Sequence, residues 1–231
     1  MQIPVLSLFT GGGFLDIGFE VAGFDIVWTN EIKPAFADMY EAAIAAWRAH
    51  YSSLRTTHTE IAERTSVTEL TATRIIKKAF ASLTPSFFGV IGGAPCQDFT
   101  ASGKNEGITG DRGRLTQVFV DLISDIRPSF FVMENVPGLL RQNRHRIHLT
   151  RIIDQLSTGE SGYLIDAKIL NALEFGVPQD RERLFIIGFQ KSIVPLLSYS
   201  RMLPGRMSTP LIFMGLTFGD EKEPEPDWAR P

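Results

Sequence analysis

The chain contains one cysteine and four histidines. A single cysteine cannot close an internal disulfide, and no Cys/His cluster has zinc spacing. The sequence therefore points to a reducing compartment and away from a structural metal. Long apolar runs are also missing, and none approaches the roughly 20 residues that span a bilayer. The opening Met1-Gln2-Ile3-Pro4 carries no basic head, and glycines cut its apolar run at Gly11, unlike a secretory leader. A cytoplasmic protein without membrane contact is expected. Excess positive charge is lacking as well, with 23 basic residues against 26 acidic ones and a net charge of −3. That balance excludes a chain wrapped in nucleic acid over its whole surface and leaves room for a local basic face. No internal repeat is present.

What is there suffices for one domain with a sizeable core, since 44% of the 231 residues are hydrophobic. Ile3 to Phe9 reads as a buried strand, Thr10-Gly11-Gly12-Gly13 as a tight turn, and Phe14 to Ala22 as a helix ended by Gly23. Asp25 to Asn30 is a second strand closing on Glu31, followed by a helix over Ala35 to Ala49. This order opens a doubly wound α/β sheet of the kind that carries a nucleotide-like cofactor. Glu31 lies about 20 residues beyond the glycines, where a carboxylate accepts hydrogen bonds from ribose hydroxyls; a solvated loop acid is the alternative. Thr57 to Ser66 is polar and loop-like. Ser66-Val67-Thr68-Glu69 then has the form of a capping box, which predicts a packing helix over Val67 to Leu83.

Phe87 to Gly92 is an apolar run that opens into Gly93-Ala94-Pro95-Cys96-Gln97. The lone thiol thus sits where a buried strand becomes a loop, the place at which open α/β sheets bind ligands. There it is either a nucleophile or a small buried hydrophobe. Thr100 to Asp111 has three glycines and adds little to a core. After a helix over Arg114 to Ile126, the strand Ser129 to Met133 runs into Glu134-Asn135-Val136-Pro137, a second carboxylate at a strand's C-terminal end. Cys96, Glu134 and Glu31 can then line one crevice. Leu139 to Leu156 reads as a helix rich in Arg141, Arg144, His145, Arg146, His148 and Arg151, either a solvated face or a positive rim for phosphates. Tyr163 to Leu170 and Leu184 to Phe189 form a last pair of strands. Between them, alternation places Arg181 and Arg183 on one side and Glu182 on the other, as site arginines or surface ion pairs. The domain is expected to cover residues 1–193, with an inserted helix near 67–83 and a partly irregular extension over 194–231.

Four of these segments, in this order, resemble the S-adenosylmethionine-dependent DNA cytosine 5-methyltransferases. Phe9-Thr10-Gly11-Gly12-Gly13 looks like the cofactor loop, Pro95-Cys96-Gln97 the nucleophile motif, Glu134-Asn135-Val136 the acid motif, and Gln179-Asp180-Arg181-Glu182-Arg183 the Gln-x-Arg-x-Arg motif. The resemblance covers about residues 3 to 190. It implies a Rossmann-like, mostly parallel sheet, S-adenosyl-L-methionine as methyl donor, S-adenosyl-L-homocysteine as product and double-stranded DNA as partner. It makes Phe9, Thr10, Gly11, Gly13, Phe14, Glu31, Ile32, Glu60, Ile61, Pro95 and Leu115 cofactor residues. Cys96, Glu134, Arg181 and Arg183 become catalytic, and Asn135 a support of the cysteine loop. Gln97, Thr100, Ser102, Lys104, Arg112, Arg141 and Arg144 become DNA contacts. In the implied reaction the Cys96 thiolate adds to carbon 6 of a flipped-out cytosine, Glu134 holds N3 and the amino group, and carbon 5 takes the methyl group. The family's target-recognition region and closing motifs find no match after Phe189. The resemblance therefore implies a truncated enzyme, or a split one whose second subunit carries them, with restriction-modification among the settings it allows. An RNA cytosine methyltransferase of the same fold and a non-catalytic partner-binding subunit are the alternatives.

Overall fold

The computed structural model describes residues 2–50, 60–81, 83–95, 113–159 and 162–194. Within them, strands β1 (Ile3–Leu8), β2 (Phe24–Asn30), β3 (Gly89–Gly92) and β4 (Phe130–Asn135) run parallel. Strand β5 (Tyr163–Asn171) leads into β6 (Glu182–Gln190), which pairs antiparallel with both β4 and β5. The resulting order is β2-β1-β3-β4-β6-β5. The parallel strands are apolar along almost their whole length because both faces of the sheet are covered. With the period of two, Leu6, Leu8, Val90, Phe131 and Met133 enter the core on one face, and Val5, Ile26, Ile91, Phe130 and Val132 the core on the other. Leu15 and Phe19 of α1 (Phe14–Val21) cover the second face, while α2 (Pro34–His50) sets Ala37, Tyr40 and Ile44 against Ile17 of α1. The first face lies under α3 (Ala72–Phe80), α4 (Gly113–Ile126) and two further helices, α5 (Gly138–Arg141) and α6 (Asn143–Ser157). The doubly wound α/β class is the one expected. Of the extension expected over 194–231, all but the first residue lies outside the described residues.

Two helices depart from the sequence reading. The capping box at Ser66 starts only a 3-10 turn, Val67–Glu69, in which the Ser66 hydroxyl accepts from the Thr68 N–H at 3.4 Å. Leu70 then turns extended (φ −91°, ψ 142°) and is buried in the first core. Helix α3 starts afresh behind Thr71, whose Oγ1 accepts from the Arg74 N–H at 3.3 Å. Thr71→Ala is expected to cost about 1 kcal/mol in urea denaturation and Ser66→Ala less, because only Thr71 caps an α-helix. The helix expected over Leu139 to Leu156 is likewise two, α5 and α6, parted at Gln142 (φ −89°, ψ 119°). The break lets both Leu139 and His145 enter the interior, so the basic run does not form one solvated face. The polar stretch before Ser66 also gains structure. Glu63 bridges Asn30 in parallel and is buried, receiving Arg74 and Lys78 at 2.8 and 2.7 Å. Burial alone would raise its pKa, but hydrogen bonds from Lys78 and Thr65 bring the carboxyl down to about 2.

Candidate active site

The chain crosses from β1 to β2 on one side and reaches β3 on the other, so the sheet's topological switch point lies between β1 and β3. Register aligns the strand ends there. Leu8 pairs with Asn30 and with Gly92, and Gly92 pairs with Met133. The next residues in each strand or loop, Phe9, Glu31, Gly93 and Glu134, therefore share one edge. Because β6 runs the opposite way, with Leu184 opposite Asn135, its first residues begin at this same edge.

At the end of β1 the backbone turns through left-handed conformations at Phe9 (φ 55°), Gly11 (59°) and Gly13 (82°). Gly13 caps α1, and a Cβ there would lie 2.7 Å from the Tyr40 ring, so the turn requires glycine for its space as well as its φ. Glu31 is buried and accepts from the Gly11 N–H at 2.9 Å and the Lys33 N–H at 2.8 Å, one bond on each oxygen. Each oxygen keeps a lone pair for another donor.

Across the edge, Glu134 accepts from Arg183 Nε at 2.8 Å, with both side chains 26% exposed. Burial raises the Glu134 pKa, and the Arg183 and Arg181 cations oppose that rise. A Cβ at Gly93 would fall 2.9 Å from Glu134 Oε2, so the glycine leaves the room in which the carboxyl sits. A cavity of about 390 Å³ joins the two sides and is lined by Phe9, Thr10, Phe14, Glu134, Arg181 and Arg183, among others. Glu182 faces away and pairs with Arg141 at 2.8 Å.

The remaining sequence candidates are placed less uniformly. Ile32 is exposed beyond Glu31, and Pro95 is exposed past β3. Glu60 is exposed, and it is its backbone carbonyl that accepts from Thr29 Oγ1, at 3.3 Å. Ile61 is buried beside Tyr40 and Ile44, and Leu115 packs against the first core; neither they nor Glu60 line the cavity. Arg141 pairs with Glu182 at the surface. Asn135 is fully buried, its Oδ1 accepting from the Val136 N–H at 2.8 Å. Cys96, Gln97, Thr100, Ser102, Lys104 and Arg112 lie outside the described residues, as does the side chain of Arg144.

Among the lining residues that escaped the sequence reading is a buried acid. Asp16 of α1 is wholly buried, and its Oδ1 accepts from Ser7 Oγ at 2.7 Å; Thr10 Oγ1 in turn donates to Ser7 Oγ at 3.1 Å. Burial raises the Asp16 pKa to about 7, with Ser7 pulling the other way. The available signal was a pair of acids, Asp16 and Glu20, four apart on an otherwise apolar helix. Glu20 is also fully buried and meets Arg48 of α2 at 2.7 Å.

A family model for C-5 cytosine-specific DNA methylases matches residues 3–209. The chain belongs to this family. The Type II methyltransferase M.NmeDI of Neisseria meningitidis serogroup C is 39% identical to it over 84% of this chain and 45% of that protein. M.FnuDI of Fusobacterium nucleatum is 35% identical over 83% and 48%. The chain thus spans about half the length of these relatives. Among solved structures, a prophage-encoded E. coli protein described as a DNA modification methyltransferase superposes with a TM-score of 0.64 at 31% identity, over 83% of this chain and 48% of that one. None of these comparisons supports the expected second subunit. C-5 methylases use S-adenosyl-L-methionine, and the residues present fit it. The cavity lies within the usual size range of small-molecule sites, a glycine turn opens a helix at its wall, and Glu31 retains free lone pairs beside that turn. Among the described residues, no helix is long and apolar enough to cross a membrane, and no group of three or more His, Cys, Asp or Glu could hold a metal ion.

Proposed function

We propose that the chain methylates carbon 5 of cytosine in double-stranded DNA, with Cys96 as the nucleophile. The observation that carries this reading is the placement of Glu134. It is half-buried at the C-terminal edge of β4 and clasped by Arg183 in the cavity that the glycine turn also lines. When bound, S-adenosyl-L-methionine supplies a methyl group on a sulfonium. Phe9 offers it a ring face, Gly11 and Gly13 admit its close approach, and Glu31 accepts from its ribose hydroxyls. Carbon 5 of cytosine is a weak nucleophile, and addition of the Cys96 thiolate to carbon 6 makes it enamine-like. Cys96 follows Gly93 by three residues in the sequence, and Gly93 lies beside Glu134 at this edge.

Glu134 in its protonated form donates to ring N3, and its other oxygen accepts from the exocyclic amino group. Burial favours that protonated form, while Arg183 and Arg181 keep the carboxyl within reach of ionisation. Arg181 lines the cavity and is a donor for the base carbonyl. After transfer the carbon 5 proton passes to solvent and its bonding pair expels the sulfur as the Cys96 thiolate; N3 returns its proton to Glu134, and the aromatic ring is restored. Such contacts exclude a stacked base, so the cytosine must leave the duplex. Gln97, Thr100, Ser102, Lys104, Arg112, Arg141 and Arg144 are assigned to the DNA strand around it. The test is incubation with methyl-labelled S-adenosyl-L-methionine and either duplex DNA or transfer RNA. Label on carbon 5 of DNA cytosine is expected; label in RNA alone would overturn the DNA reading.

A further inference from the structure

Arg181 enters the cavity on a long connection, yet among the described residues its guanidinium makes no hydrogen bond or ion pair. Beyond its charge attraction to Glu134, what directs it there is the path of its backbone. Ten residues separate Asn171, the last of β5, from Glu182, the first of β6, and the two are register partners across the pair. One side chain ties both ends of this connection together. Asn171 Oδ1 accepts from the Leu173 N–H at 3.1 Å, which caps the 3-10 turn Ala172–Phe175, and from the Arg181 N–H at 3.3 Å. Its Nδ2 donates to Asp180 Oδ1 at 2.8 Å. Beside it, the Ala172 N–H donates to the Arg181 carbonyl at 3.0 Å, and Gly176 (φ 79°) closes the turn.

We propose that Asn171 is a positioning residue, whose clasp across the β5–β6 connection holds Arg181 against Glu134. This rests on the methyltransferase reading of the Glu134 site. All three side-chain bonds are solvent-exposed, where a hydrogen bond adds little to stability. The clasp accordingly does little for the fold as a whole; what it does is leave residue 181 one backbone path out of the connection. Asparagine suits the position because one amide both accepts from two N–H groups and donates to a carboxylate. Aspartate would keep the acceptors but set a like charge against Asp180.

The test reads the proton on Glu134. The charges facing that carboxyl are Arg183 of β6 and Arg181 of the connection. Carbon-13 NMR of glutamate labelled at Cδ, on the full chain, follows the Glu134 titration in wild type, Asn171→Ala, Arg181→Ala and the double variant. Arg181→Ala removes a cation, and its titration moves upward. Asn171→Ala is expected to move it upward too, with no further movement when it is added to Arg181→Ala. Asn171→Ser, which keeps an N-cap oxygen but is too short to reach Asp180, gives the same direction should the alanine variant fold poorly. An unchanged Glu134 titration in Asn171→Ala or Asn171→Ser, or the same upward movement with and without Arg181, overturns the proposal. A merely structural role would lower the melting temperature without this shared shift. Because the readout is a titration and not turnover, absence of methyl transfer in every variant would count against the methyltransferase reading and leave the clasp separately decided.

Discussion

Cys96→Ala is expected to form no covalent adduct on a duplex carrying 5-fluorocytosine, whereas Glu134→Gln still forms one, about 10²–10⁴-fold more slowly than wild type. The difference follows from what each group supplies. Fluorine at carbon 5 replaces the proton whose departure would free the sulfur, so the adduct persists to a denaturing gel. A residue is indispensable to that band only if it makes the bond to carbon 6, and alanine cannot. Glu134 instead lowers the barrier to that bond by giving the ring a proton as charge develops on it. Glutamine keeps the shape and a donor but has no proton to transfer and no charge for Arg183. The pH dependence has a definite sign. Burial lifts the Glu134 carboxyl above its ordinary range, so wild-type activity falls as pH rises through that pKa, and the glutamine variant lacks this limb. An adduct formed by Cys96→Ala, or Glu134→Gln reacting at the wild-type rate, would remove these residues from the roles proposed.

The parts of the site legible in the sequence are those governed over a few residues. A strand that meets glycine, and a strand that runs into Glu134-Asn135, declare their ends by period and punctuation; parallel pairing then carries those ends to one edge. Alternation alone put Arg181 and Arg183 on the side away from Glu182, and the structure has both arginines lining the cavity while Glu182 holds Arg141. What stayed hidden depends on contacts between distant segments. Ser66 and Thr71 both have cap chemistry, and only the burial of Leu70 between them decides that the helix belongs to Thr71. Glu63 sits in a stretch that reads as a polar loop, and its burial depends on Asn30 of β2 and on Arg74 and Lys78 of α3 converging on it from two elements. Asn171 is unremarkable in sequence because its partners, Leu173 and Asp180–Arg181, meet only once the β5–β6 connection has closed.

Asp16→Asn is expected to stabilise the chain at pH 8 by up to about 4 kcal/mol and to leave it nearly unchanged at pH 4. The carboxyl is fully buried, and its pKa rises from 3.8 to about 7. It faces Ser7 of β1, Tyr40 and Arg48 of α2, and Glu20 on its own helix; the last of these adds to the rise, and Ser7, Tyr40 and Arg48 reduce it. A group whose folded pKa is raised favours folding below its unfolded pKa, where it is neutral in both states. That contribution is lost as pH climbs from about 4 to about 7, because the unfolded chain ionises first. A shift of about 3 units corresponds to about 4 kcal/mol. Asparagine keeps an oxygen for the Ser7 hydroxyl and never ionises, so the variant escapes the loss. Urea denaturation of both proteins at pH 4 and pH 8 measures the difference, in which the effects of titrating groups not coupled to Asp16 cancel. A gap that stays constant between those pH values would mean that Asp16 is already ionised in the folded chain at pH 4. The Thr10–Ser7–Asp16 hydrogen bonds beneath the glycine turn would then anchor a carboxylate throughout.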